Sequence, residues 1–328
     1  EPPYWEYSER WSYSPTIFGA VAGACSLLHL NEGKVMDAFG IGGTSTPVPG
    51  AIKHQQNTGT GIMTKYNCWA GWIAQLGTVA ALLAEKGLTG DRDVLDGEKG
   101  FWKMIGSPFF KVDTLLGGLG EVWHLSETWF KAYPCCACNH TYIDAINKIA
   151  QDNELVPEDI ESILIEGDSH LLVPSRMGNK VTNFVNAQFN SRHLAAVAAY
   201  HGRNPGPGWQ GTATLEDKRI RDLMKKVRIV VHPKRDEIIS RRIKAGELPI
   251  FFDVAVEITA KGKRFRTEAI DAWGSANNPM TDEELAEKFR HNASYSKLTI
   301  DTEKVIEMVY GLDKVSNMTD LMKLLTIE

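Results

Sequence analysis

One stretch of this chain is patterned against helix, and it limits what the remainder can build. Phe252, Val254, Val256 and Ile258 alternate with polar or small neighbours, the period of two that marks a half-buried strand. Ala260-Lys-Gly262-Lys supplies a turn and residues 264–270 return, so the alternation predicts a β-hairpin. A hairpin alone is marginal in water and needs further strands or a covering helix. Nearby segments offer both: residues 162–167 and 227–232 read as strands, and residues 141–151 read as a helix with Ile143, Ile146 and Ile149 on one face. Residues 194–200 and 217–224 also read as helices. The middle of the chain is therefore expected to be α+β, with a small antiparallel sheet.

The flanks are patterned for helix. Residues 16–30 are rich in Ala and Gly, and residues 31–40 place Val35, Met36 and Phe39 at helical spacing. A Gly/Thr/Pro-rich run over residues 40–50 predicts a loop, as does the run over residues 57–61. Residues 70–86 follow, where Ala70, Ala74, Gly77 and Ala81 form a small-residue stripe suited to close helix approach. These helices are apolar nearly all round, which predicts burial inside a sizeable helical domain. Beyond Pro279, Thr281-Asp-Glu-Glu284 is a capping box opening a helix, and residues 302–310 and 319–325 read as helical too. The order along the chain is helical, then α+β, then helical again.

Several function classes drop out. The net charge of −5 comes without a basic run, so no nucleic-acid partner is expected. The longest apolar stretches, residues 17–30 and 69–84, are interrupted and fall short of the roughly 20 residues a membrane-spanning helix needs. The cysteines, Cys25, Cys68, Cys135, Cys136 and Cys138, are odd in number and crowded, which suits a reducing cytoplasm better than a disulfide framework. Cys135-x-x-Cys138 has no second Cys/His pair of matching spacing, so no metal is expected. The glycine clusters at Gly40–Gly43 and Gly117–Gly120 follow no strand with nucleotide-binding spacing, and no Gly-x-Ser-x-Gly or His-Glu-x-x-His occurs. The chain opens Glu1-Pro2-Pro3-Tyr4-Trp5, which reads as a processed or incomplete polypeptide.

What remains is His and Lys beside loops. Lys65 stands between a Gly/Thr run and the helix from residue 70, where an ammonium beside a helix N-terminus strengthens a carboxylate pocket. His140 opens the helix over residues 141–151, and Asp144, four residues on, is placed to orient the imidazole and raise its basicity. Either residue alone is more often a solvated charge or a satisfied histidine.

An ordered set of motifs adds to this. Phe18-Gly-Ala-Val-Ala-Gly-Ala, Ala80-Ala-Leu-Leu-Ala-Glu-Lys-Gly-Leu-Thr-Gly90 and Lys131-Ala-Tyr-Pro-Cys-Cys are followed by His140-x-x-Ile143-Asp144-Ala145, Ala187-Gln-Phe-Asn, Asn278-Pro-Met-Thr-Asp-Glu-Glu-Leu and Lys288-Phe289. Together they resemble the MmgE/PrpD family in order and over nearly the whole chain. That family includes 2-methylcitrate dehydratases, cis-aconitate decarboxylases and iminodisuccinate epimerases. The resemblance implies a large helical domain from the N- and C-terminal parts, residues 1–131 and 271–328, with a smaller α+β lid over residues 132–270. It implies a cleft between them, with Lys65 on one wall and His140 on the lid side.

The implied chemistry is cofactor-independent: proton abstraction beside a carboxylate with loss of water, or else decarboxylation or epimerisation. His140 is then the acid/base and Lys65 the carboxylate anchor or proton donor, with Tyr13 and His193 as second acid/base candidates. Thr16, Arg176 and Lys180 are substrate-binding candidates, and Asp144 stands behind His140. Expected partners are a small carboxylate substrate and a second copy of the chain. Three positions depart from the family pattern. Tyr13 and His193 replace the usual His and Tyr, and Lys65-Tyr-Asn-Cys-Trp replaces a Lys-x-x-His. The family's initial helices, with an Asp-rich segment and a His, have no counterpart here, so a separate N-terminal fragment or subunit is also an expected partner.

Overall fold

A computed structural model describes residues 14–46, 70–107, 110–173, 176–245, 253–296 and 298–326. By internal contacts the chain divides into two compact units. The first takes residues 1–123 with residues 173–178 and 236–250; the second takes the rest, including all of residues 251–328. The C-terminal helices thus group with the sheet in this division, whereas the sequence-based layout returned them to the N-terminal helices.

In the first unit, helices α1 (Ile17–Leu27), α2 (Glu32–Ser45) and α3 (Ala70–Glu85) pack on one another. Ile17, Val21 and Cys25 from α1, Ala38 from α2, and Ile73, Ala80, Ala81 and Ala84 from α3 form their shared core. Asn31 caps α2 by accepting from the Lys34 N–H at 3.1 Å. The loop expected from residue 40 starts later, because α2 runs to Ser45. Its glycines serve packing: a Cβ on Gly42 would lie 2.8 Å from Val21, and one on Gly43 2.6 Å from Val94. The small-residue stripe on α3 is half right. Gly77 meets Ala20 so closely that a Cβ would sit 2.5 Å away, and Ala81 is buried, but Ala74 is exposed. Burial all round does not hold for α3 either, since Trp72 is 63% exposed and Val79, Leu82 and Leu83 share the open side.

The second unit is built on a sheet of four strands: β1 (Ile160–Gly167), β2 (Val227–Val231), β3 (Val254–Ala260) and β4 (Lys263–Ala269), in the order β2-β1-β3-β4. The hairpin is where the alternation placed it. Its turn, Lys261-Gly262, holds both residues at positive φ (53° and 69°), as a two-residue turn between twisted strands requires. The sheet is mixed, not antiparallel throughout. β1 pairs antiparallel with β3 (Ile163 opposite Ile258) but parallel with β2 (Ile163 opposite Val227). A parallel neighbour demands a long crossover, and residues 168–226 provide it with helices that pack back on the sheet.

Helix α4 (His140–Asp152) lies against β3 and β4, with Ile143, Ile146 and Ile149 buried as its spacing predicts. Helix α5 (Ser191–His201) packs on α4 and on α6 (Lys218–Met224). Burying those three isoleucines contributes roughly 1.5–3 kcal/mol each. That apolar face fixes α4 on the sheet and so fixes where its first residue, His140, must sit. Helix α7 (Asp282–Ser294) begins with the expected capping box, Thr281 and Glu284 each accepting from the other's backbone N–H. None of the described helices is long and apolar enough to cross a membrane.

Candidate functional site

The chemistry-bearing residues of the second unit gather at the N-terminal ends of α4 and α5. Asn139, Tyr142 and Ser191 lace the two ends together. The Tyr142 hydroxyl shares its one hydrogen between Asn139 Oδ1 at 2.9 Å and the Ser191 carbonyl at 3.0 Å, and Ser191 Oγ donates to the same Asn139 oxygen at 3.1 Å. All three residues are buried, so this network holds one helix start against the other.

His140 is 1% exposed. Burial first, with the Lys131 ammonium nearby adding to it, lowers its pKa from the usual value to about 4. The carbonyls of Cys135 and Tyr133 oppose this weakly by accepting from the ring. Nε2 has no hydrogen-bond partner among the described residues. Carbonyl acceptance therefore falls to Nδ1–H, which fixes the tautomer and leaves Nε2 with its lone pair. The Tyr133 ring stands edge-on to the imidazole, centroids 5.2 Å apart, and Trp209 stacks on Tyr133 with centroids 5.5 Å apart.

His193 occupies the first turn of α5, whose N-cap Asn190 accepts from the His193 N–H at 2.9 Å. It is 2% exposed, and burial, with a smaller contribution from His201, lowers its pKa to about 4. Its Nε2 also lacks a partner among the described residues. Two neutral imidazoles, each with a bare Nε2, thus sit at two laced helix ends.

Asp144 does not do what its spacing suggested. Its Oδ1 accepts from the Tyr133 hydroxyl at 2.6 Å and its Oδ2 from the Trp273 N–H at 2.7 Å. The expected direct hold on His140 is replaced by an indirect one, in which Asp144 pins the tyrosine that walls the ring. Burial raises the Asp144 pKa despite those two hydrogen bonds, and burial pushes the Tyr133 hydroxyl well above its usual range.

Of the other expected site residues, Lys65 and Tyr13 lie outside the described residues. Thr16 is exposed at the start of α1, where its side chain makes no capping bond. Arg176 is 1% exposed, in the short segment that groups with the first unit, and Lys180 is exposed. Sequence reasoning missed Lys131. It took the residue as part of a marker motif, yet its ammonium donates to the Cys135 carbonyl at 3.3 Å and bears on His140. Its signal was the same ten-residue segment, in which a lysine precedes the histidine with a rigid Pro between them.

A proton-accepting nitrogen beside an ammonium is an arrangement for taking a proton from a carbon next to a bound carboxylate. The MmgE/PrpD N-terminal domain pattern matches residues 13–111, and the MmgE/PrpD C-terminal domain pattern matches residues 133–313. Cis-aconitate decarboxylase of Aspergillus terreus is 24% identical over 335 residues, 94% of this chain and 63% of that protein. The Homo sapiens and Mus musculus cis-aconitate decarboxylases are each 25% identical, over 94% of this chain and 60% of theirs. The chain thus spans about 60% of the length of these relatives.

Proposed function

Because the chain belongs to the MmgE/PrpD family, we propose that it is a cofactor-independent lyase acting on a small carboxylic acid by abstraction of an α-proton. The observation that carries this is the bare, buried Nε2 of a neutral His140 beside the Lys131 ammonium. In the dehydration direction, Nε2 takes the proton from the carbon next to the carboxylate. The C–H electron pair becomes the new double bond, and the β-hydroxyl leaves with a proton as water. Lys131 holds the carboxylates. His193 is the second acid/base group.

A pKa near 4 makes a weak base. Bound carboxylates reverse that, because an adjacent negative charge favours imidazolium. Substrate thus strengthens its own base.

Decarboxylation is the second reading, favoured by relatives named as cis-aconitate decarboxylases. There the same histidine delivers a proton to carbon as carbon dioxide departs. Incubation with 2-methylcitrate, citrate and cis-aconitate separates the two: a new double bond without gas supports the hydro-lyase, and carbon dioxide from cis-aconitate supports the decarboxylase. A His140→Ala protein that folds and turns over at the unmodified rate overturns both.

A further inference from the structure

The Ala187-Gln-Phe-Asn motif has so far only marked the family, yet the structure gives its glutamine a distinctive setting. Gln188 lies over the strip Tyr133–Cys136, the strip whose carbonyls hold the His140 ring, and its backbone carbonyl accepts from the Cys136 N–H at 3.1 Å. Its side chain ends a short chain of amides. Gln210 Nε2 donates to the Pro134 carbonyl, and Gln188 Nε2 donates to Gln210 Oε1 at 3.4 Å.

The direction of that chain is fixed by chemistry. The Pro134 carbonyl can only accept, so Gln210 must turn its NH2 towards it and its oxygen towards Gln188. Gln188 must then offer its own NH2, which leaves Gln188 Oε1 as the free end. That oxygen is sealed from solvent and has no hydrogen-bond partner among the described residues. Buried acceptors are almost always satisfied, so one left open beside a proton-transfer site is a receptor for a donor that arrives with a ligand.

The geometry points to Gln188 as a substrate-binding residue whose Oε1 accepts a hydrogen bond from a hydroxyl group on the substrate, selecting hydroxy acids over their deoxy counterparts. Neither a carboxylate nor an alkene offers a hydrogen to an acceptor; an alcohol does. The inference rests on the reading of this protein as a lyase of small carboxylic acids, and within it favours the hydro-lyase.

The test is binding of citrate and of propane-1,2,3-tricarboxylate, which differ only in the hydroxyl, by calorimetry to the intact protein. Wild type binds citrate about tenfold more tightly, the worth of one buried hydrogen bond. Gln188→Met removes that preference while leaving the affinity for propane-1,2,3-tricarboxylate within twofold. Gln188→Asn, which keeps the amide but withdraws it by one methylene, lowers the preference in the same way and serves should the methionine variant fail to fold. A citrate preference that survives in either folded variant, or is absent from wild type while both compounds bind, overturns the assignment of Gln188 alone. If neither compound binds wild type, the lyase reading falls with it.

Discussion

His140 and His193 both sit in the first turn of a helix, buried, neutral and with Nε2 bare among the described residues, but the two differ in how their surroundings hold them. Around His140 the backbone folds back so that carbonyls of Tyr133 and Cys135 grip the ring, Tyr133 walls it, Asp144 pins Tyr133, and Lys131 supplies charge. Around His193 the influences are burial and, after it, the charge of His201. The contrast teaches that depression of a pKa and orientation of a base are separate achievements. Burial alone does the first; the second takes a scaffold, and in the function proposed above that scaffold is what suits His140 to the acid/base role.

The harshest way to break the contrast is to delete each ring in turn. His140→Ala is expected to lower kcat by about 10³-fold, within the range for a positioned acid/base group. His193→Ala is expected to lower it by less, near tenfold, since any one candidate second group is more easily bypassed; equal losses would erase the asymmetry. Acid should act on the two histidines alike. Their folded pKa values of about 4 lie below the ordinary 6.5, so the stability they confer is complete above pH 6.5 and is lost as pH falls towards 4. Urea unfolding at pH 7 and pH 4.5 should therefore show a stability loss of roughly 2 kcal/mol per histidine, reduced when either is replaced by Gln.

Asp144→Asn sharpens the scaffold side. It weakens two hydrogen bonds, to Tyr133 and Trp273, and is expected to cost about 1–3 kcal/mol by the same unfolding measurement. With its wall loosened, His140 should lose kcat more than it changes KM; a variant with wild-type kcat would show that the wall is only structural. Lys131→Met is expected to raise KM through the lost carboxylate anchor, and its mildest effect falls on His140. Removing its charge lifts a depression from His140, so the acid limb of the kcat/KM profile should move to higher pH, while His193-dependent behaviour stays put.

The sequence carried the local half of this structure. The hairpin showed because alternation and an αL turn are short-range signals, and the α7 cap showed because a capping box needs only four residues. The extent of α2 did not show, because Gly42 and Gly43 look like loop formers until Val21 and Val94 are seen against them. The site divides likewise. His140 could be picked from its motif, but Asp144 had three candidates for its oxygens, and the one four residues away lost to Tyr133 and to Trp273, 129 positions on. The amide chain from Pro134 through Gln210 spans 76 positions, so no window of sequence contains it.

The strand order has a consequence in time. β1 takes its antiparallel partner from β3, about a hundred residues later, and its parallel partner from β2, some sixty residues later. During synthesis Ile160, Ile163 and Ile165 must wait, unpaired, until most of the chain has left the ribosome. The β3–β4 hairpin can close within microseconds of its own emergence, but the strand it needs as a neighbour has been waiting since mid-chain. Among the described strands, β1 is the one that waits longest for its full set of neighbours as the chain emerges.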